Sequence, residues 1–158
     1  MIRDAVSVPV IAAGCNADGR SMLPAYSLGA DGVQVGSRFA ATVESSAHEL
    51  FKQAILNAAE GDTKLSMKSV VPVRLLNNDF FQKVAEAEGR GADRTELLEL
   101  LGRGRAKKGM YEGDLVEGEL EIGQVSALIK EIEPAAQVLT EIWQGFLKVK
   151  EKIRRLEI

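Results

Sequence analysis

The stretch Val8-Pro9-Val10-Ile11-Ala12-Ala13-Gly14-Cys15-Asn16-Ala17-Asp18-Gly19-Arg20 decides how the rest of the chain is read. Its first six residues are apolar, with β-branched side chains among them, and Gly14 breaks the run. A short strand buried on both faces has this pattern. Asn16, Ala17, Asp18 and Gly19 offer capping residues, so a helix is predicted from there through Leu28. Pro24 falls inside that helix, which predicts a kink or a place in the first turn. Gly29 stops it. Val33-Gln34-Val35 reads as a second short strand, ended by Gly36-Ser37. A helix resumes after Ser45-Ser46, with Leu50, Phe51, Ile55 and Leu56 as its apolar positions. Strand, glycine turn and helix, stated twice, make an α/β fold. Strands joined by a helix are parallel with a right-handed crossover, so both glycine turns fall at the same C-terminal edge of the sheet.

Outward from this stretch the composition changes. The first 60 residues hold 10 charged side chains and the remaining 98 hold 33. Residues 1–60 are therefore expected to carry the core and residues 61–158 a more solvated, mostly helical layer of the same domain. Helices are predicted over roughly 78–88, 93–101, 124–132 and 134–156, with Thr63 to Met67 extended. Seven glycines between Gly89 and Gly118 predict short helical pieces joined by turns. In the last helix Ala135, Leu139, Ile142, Phe146, Val149, Ile153 and Leu156 form a heptad-like stripe. It suits docking on neighbouring helices better than a coiled coil. Pro134 suits the first helical turn.

A length of 158 residues is one domain's worth of chain, and 46% hydrophobic content is ordinary for a globular protein. The net charge of −3 argues against a general nucleic-acid or anionic-membrane binder. Cys15 is the sole cysteine, so no intramolecular disulfide forms, which fits a reducing, cytoplasmic setting. With one histidine, His48, a Cys/His zinc site is nearly excluded, and no metal is expected.

Paired glycine turns at the ends of adjacent parallel strands can cradle a phosphate, because glycine lets the backbone approach an anion. The helix opening at Asp18-Gly19 would add its N-terminal amides. In a (β/α)8 barrel the loops after the last two strands often hold a phosphate group. The plainer alternative is that these glycines only permit tight turns between strand and helix.

The segments VPVIAAGCNADGR and LGADGVQVGSRFAATVESSAH resemble the end of the flavin barrel of the nitronate monooxygenases, formerly called 2-nitropropane dioxygenases. The related enoyl-acyl-carrier-protein reductases II share the pattern. The later segment GRAKKGMYEGDLVEGELEIGQVSALI is similar to the C-terminal region of the same group. The resemblance implies the last two βα units of an FMN-binding (β/α)8 TIM barrel over residues 1–60, followed by a helical cap region over 61–158. It implies FMN, its phosphate held at Gly14 and Cys15 in one loop and Gly36 and Ser37 in the next, with Gln124 facing flavin or substrate. A helix-surface role for Gln124 is the alternative. The family usually has Gly-Gly where Gly14-Cys15 stands, and Gly-Thr where Gly36-Ser37 stands. Ser keeps the hydroxyl, whereas Cys15 places a side chain where close backbone approach is wanted.

The implied activity is oxidation of alkyl nitronates with O2, the alternative being NAD(P)H-dependent enoyl-thioester reduction. A non-catalytic phosphate-binding or assembly piece is the reading from a different class. The family's histidine lies in a barrel region this chain lacks, and Met1 falls where the helix before the seventh strand would end. The chain alone is therefore expected to be inactive. Its expected partners are a small-molecule substrate, the N-terminal portion of the barrel and, through uncovered faces, a second copy. His48 reads as a capping or packing residue rather than an acid/base, and Cys15 as a turn residue rather than a nucleophile. Arg103, Arg105, Lys107 and Lys108, followed by Glu112, Asp114 and Glu117, read as a solvated face.

Overall fold

A computed structural model describes residues 2–156. Met1, whose place at the end of a preceding helix was expected, lies outside the described residues. A short helix α1 (Ile2–Ala5) leads into β1 (Ile11–Ala13), α2 (Gly19–Ser27), β2 (Gly32–Gln34), α3 (Ser37–Ala40) and α4 (Glu49–Asn57). Strands β1 and β2 pair in parallel, with Ile11 opposite Gly32 and Ala13 opposite Gln34. Asp31 extends the pairing: its amide donates to the Val10 carbonyl and its carboxylate accepts from the Val10 amide, both at 2.8 Å. The predicted strand–helix–strand unit is thus present. Pro24 lies in the interior of α2, and its carbonyl accepts from the Leu28 amide at 3.0 Å.

Beyond Gly61 the chain departs from the mostly helical expectation. β3 (Thr63–Ser66) and β4 (Val73–Leu76) form an antiparallel hairpin. The extended segment near Thr63 was foreseen; its partner was not, because Val73-Arg74-Leu75-Leu76 is a short apolar run without a clear period. The backbone of residues 120–122 runs along β4: Leu76 donates to Leu120 and Ile122 donates to Arg74. Helices α5 (Asp79–Gly89) and α6 (Arg94–Leu101) fall where the sequence placed them, capped by Asn78 and Asp93. A π-helical turn (Lys107–Tyr111) follows. The helix expected over 124–132 is only a 3-10 helix (Gln124–Leu128). Past Ile129 the chain is extended, and Glu133 bridges in parallel to Thr42.

The last helix, α7 (Ala135–Arg154), starts where expected. Pro134 occupies its N-cap, and the Glu44 carboxylate accepts from the Ala135 amide at 2.8 Å, placing negative charge at the positive end of the helix. Only part of the predicted stripe is buried: Ile142 and Phe146 turn inward. Val138 is fully buried while Leu139 is 62% exposed, and Ile153 and Leu156 are also exposed. Val138, Ile142 and Phe146 recur every four residues and pack with Met22 of α2. The register follows from a backbone contact. A Cβ at Gly19 would lie 1.9 Å from the Phe146 nitrogen and 2.2 Å from the Gly145 carbon, so α2 and α7 cross where both lack side chains.

The core is distributed differently from the charge-based expectation. Among the described residues, 6 buried hydrophobics lie in 1–60 and 13 beyond it. One cluster joins Phe51 and Ile55 of α4 to Leu76, Leu120, Ile122 and Ile129. A second packs Met67 and Leu75 against Phe80, Val84 and Leu97. The charged region holds more buried hydrophobic residues because its hairpin and helices cover one another, whereas the apolar strands β1 and β2 have few elements against them.

Candidate functional site at the ends of the parallel strands

The turn after β1 is left-handed at two successive residues, Gly14 (φ 93°) and Cys15 (φ 57°). A non-glycine residue is uncommon there, so something must hold the turn. Asn16 does so. It is buried, and its Nδ2 donates to the Ala12 carbonyl at 3.2 Å and the Gly14 carbonyl at 3.1 Å. The sequence suggested Asn16 only as a capping residue; the N-cap of α2 is Asp18. An amide side chain two residues after a left-handed glycine was the available signal.

Asp18 also corrects the expectation that the α2 amides face an anion. Its Oδ1 accepts from the Arg20 and Ser21 amides, each at 2.9 Å. The Ser21 hydroxyl in turn accepts from the Asp18 amide, completing a capping box. Partial burial works to raise the Asp18 pKa, but the Ser21 amide, the Arg20 guanidinium and the Ser21 hydroxyl outweigh it and hold the carboxyl below its ordinary value. The end of α2 already has its negative charge.

The turn after β2 carries Gly36 as the N-cap of α3, followed by Ser37. The Ser37 Oγ accepts from the Gly123 amide at 3.0 Å, which leaves the hydroxyl hydrogen available to donate. A Cβ at Gly123 would lie 2.7 Å from the Ser37 Oγ, so a side chain there would displace the hydroxyl. The neighbouring Gln124 is exposed, and its Nε2 reaches the Cys15 Sγ at 3.4 Å. Residues 120–122, paired along β4, deliver this segment across both turns. The structure therefore brings Cys15, Ser37 and Gln124 together, and Gly14 and Gly36 flank them at the strand ends. A Cβ built on Gly14 or Gly36 meets nothing within 4 Å, so space is open in front of both turns.

The nearby arginines have partners. Arg20 pairs with Asp18 at 2.6 Å, and Arg38 pairs with Glu133 and, at 3.2 Å, with Glu141. The bond from Arg38, ahead of smaller contributions from Glu141 and Gln137, keeps the Glu133 carboxyl below its ordinary pKa. An anion at the strand ends would be met chiefly by backbone amides and the Ser37 hydroxyl.

His48 caps α4: its Nδ1 accepts from the Leu50 amide at 3.2 Å, as the capping reading expected. Among the described residues the Cys15 Sγ has one hydrogen-bond partner, the Gln124 amide side chain, which cannot serve as a base. Among the basic run, Lys107 and Lys108 form surface ion pairs with Glu112 and Asp114, each at 2.8 Å. Arg105 departs from the solvated reading. It is half-buried, stacks over the Phe80 ring at 4.5 Å and donates to the Leu101 and Glu117 carbonyls. Among the described residues, no group of three or more His, Cys, Asp or Glu side chains is placed to hold a metal ion, and no helix is long and apolar enough to cross a membrane.

Comparison with solved structures gives FabK from Thermotoga maritima, 38% identical, with a TM-score of 0.89 over 97% of this chain and 49% of that one. A nitroalkane oxidase from Streptomyces ansochromogenes is 26% identical, with a TM-score of 0.76 over 96% of this chain and 43% of its own. A probable nitronate monooxygenase from Staphylococcus haemolyticus is 45% identical over 89 residues, and a Staphylococcus aureus counterpart is 44% identical. Each alignment spans 56% of this chain and 25% of the relative. The chain thus covers about half, or less, of the length of the proteins it matches. The family model described as nitronate monooxygenase matches residues 1–145. A match that runs through both strand-end turns, the hairpin, the Gly123-Gln124 crossing and half of α7 places this chain in the nitronate monooxygenase family.

Proposed function

We propose that this chain is the C-terminal, cofactor-holding portion of an FMN-dependent barrel oxidoreductase that oxidises alkyl nitronates. Residues 1–60 supply the last two βα units of the barrel and residues 61–158 its cap. The observation that carries the reading is the pair of open glycine turns at adjacent parallel strand ends. These residues fit a phosphate: Gly14 and Gly36 leave room for it, and the Ser37 hydroxyl hydrogen is available to donate to it. Bound FMN would supply the redox chemistry, as flavins do. The chain's own part is binding and orientation. Asn16 keeps the Gly14-Cys15 turn left-handed, the Gly123 amide fixes the Ser37 hydroxyl, and Gln124 borders the site beside Cys15.

Gly36→Val is the sharpest test. Gly36 has φ −100°, which valine accepts, and a Cβ there meets no protein atom. In the protein carrying the remaining barrel, this variant should keep its fold and lose FMN affinity by at least about tenfold, or roughly 1.4 kcal/mol. Unchanged FMN content after purification would remove the phosphate from this turn. Oxygen uptake with a nitronate is the expected activity; enoyl-thioester reduction in its place would move the assignment to the reductase branch. The chain alone should turn over neither substrate. Its uncovered Ile11, Leu139 and Trp143 should make it self-associate, as light scattering would detect.

A further inference from the structure

A cavity of about 820 Å³ opens beside Gln124. Gln124 lines this cavity and also reaches Cys15, so the cavity adjoins the strand-end turns. The hairpin contributes Thr63 and Arg74, and the 3-10 helix contributes Val125 and Leu128. Lys130 and Glu60 also line it, and both are exposed.

Arg74 is the unusual member. It is half-buried, and its Nη1 donates to the Thr63 carbonyl at 2.9 Å and to the Thr63 Oγ1 at 3.3 Å. Those two bonds use both hydrogens of Nη1. The Nε and Nη2 hydrogens, the edge that grips carboxylates and phosphates in bidentate fashion, have no partner among the described residues. Other sheltered arginines in this chain are treated differently. Arg38 faces Glu133 and Glu141, and Arg105 faces Glu117. Arg74 has no carboxylate within ion-pair distance among the described residues. A guanidinium held in place by its neighbour strand, with its recognition edge free and a second cation at Lys130, is complementary to an anion. The exposed Leu128 and the Val125 side chain add an apolar wall to the same space.

From these observations we infer that the cavity is a binding site for a phosphate-bearing organic molecule, its phosphate held by Arg74 and Lys130 and its apolar part lying along Val125 and Leu128. The phosphate could belong to a nucleotide or to a simple phosphate ester. The cavity adjoins the strand-end turns at Gln124, and its anion-binding cations, Arg74 and Lys130, are not among the residues of those turns.

Calorimetric titration of the 158-residue chain at low salt tests this, with ADP, glycerol 3-phosphate and inorganic phosphate as the probes. At least one organic probe should bind, and more tightly than inorganic phosphate because of the apolar wall. ADP alone binding would identify a nucleotide site; glycerol 3-phosphate binding comparably would identify a general phosphate-ester site. Arg74→Lys keeps the charge and loses the fork, and should weaken binding by about tenfold. Lys130→Gln changes an exposed side chain, cannot disturb the hairpin, and should weaken binding by about two- to fivefold. Raised salt should weaken binding in the parent chain. No binding of either organic probe at about 10 mM, far weaker than the millimolar affinity that only about 4 kcal/mol provides, would overturn the site. Binding unaffected by both Arg74→Lys and Lys130→Gln would do the same. FMN also carries a phosphate ester, so it is titrated into Gly36→Val and Arg74→Lys as well: weakening by Gly36→Val alone reports on the strand-end turns and weakening by Arg74→Lys alone on the cavity, so loss of one site is distinguishable from loss of the other.

Discussion

The two strand pairs of this molecule are covered very differently. In the parallel pair, Ile11 is 56% exposed; in the hairpin, Leu75 is 1% exposed. β3–β4 is closed by the backbone of residues 120–122 on one side and packed by α5 and α6. Among the described residues β1–β2 is a two-stranded sheet, and α2 and α7 cover one of its faces. Parallel sheets normally have both faces covered, which β1–β2 does not, in keeping with the longer barrel we propose. The hairpin region is self-sufficient and the parallel-strand region, where we propose that the cofactor binds, is not. Stability and the proposed function are thus lodged in different parts of the chain.

Truncating a core residue in each region should expose this contrast most strongly. Phe80 is fully buried in the hairpin cluster, and Phe80→Ala should cost about 3–5 kcal/mol. Ile11→Ala, at an exposed strand position, should change stability by about 0.5 kcal/mol or less in the chain alone. Urea denaturation measures both. Equal losses would mean that β1–β2 is as well packed as the hairpin.

A smaller effect is expected where α2 crosses α7. Gly19→Ala forces a methyl into the Gly145–Phe146 backbone and should cost about 1–3 kcal/mol by overpacking. Gly89→Ala, at the end of α5 where a Cβ meets nothing, should be neutral or slightly stabilising. Thermal unfolding of the two variants would sharpen the comparison, since a tolerated Gly19→Ala would show that the crossing is loose.

The subtlest expected difference is one of pH. Burial, helped by the negative charge of Glu121 and opposed by Arg105, pushes the Glu119 carboxyl up to about 7 from 4.5. Between these values the folded state holds a proton that the unfolded state has released, so stability falls as pH rises through this window. The stabilisation is complete below about 4.5 and lost above about 7. Glu119→Gln should flatten that decline, as denaturation midpoints at pH 5 and pH 8 would show. Asp114 works in the opposite direction. Its bonds from Lys108 and the Glu117 amide lower its pKa to about 2, so its contribution is lost only in strong acid.

Much of this was legible in the chain itself. The run ending at Gly14, the helix after Asp18 and the second strand ending before Gly36 are local signals: apolar length, a capping side chain and a glycine. Local chemistry also foretold α5, α6 and the start of α7. It placed His48 correctly because a helix N-terminus selects a side-chain acceptor whatever lies around it. The proposed site residues were named from a resemblance, but their meeting could not be read from spacing. Cys15 and Gln124 are 109 residues apart, and only the pairing of residues 120–122 with β4 brings them together.

Where contacts between distant segments decide, the sequence was silent or misleading. The α7 stripe followed a heptad, yet Val138 rather than Leu139 turned inward because the approach of Gly19 to Gly145 sets the helix rotation. The 3-10 helix at Gln124 replaced a longer α-helix because the chain must lie along β4 just before it and bridge to Thr42 just after it. Arg74, on a strand the sequence did not foretell, acquired a free recognition edge only through the register that sets it beside Thr63. The sequence by itself determined the strand–turn–helix order and the residue types at the turns, since those depend on near neighbours. Tertiary structure alone decided which faces are buried, which amides are already occupied and which cations are left without a partner, since those depend on groups remote in the chain.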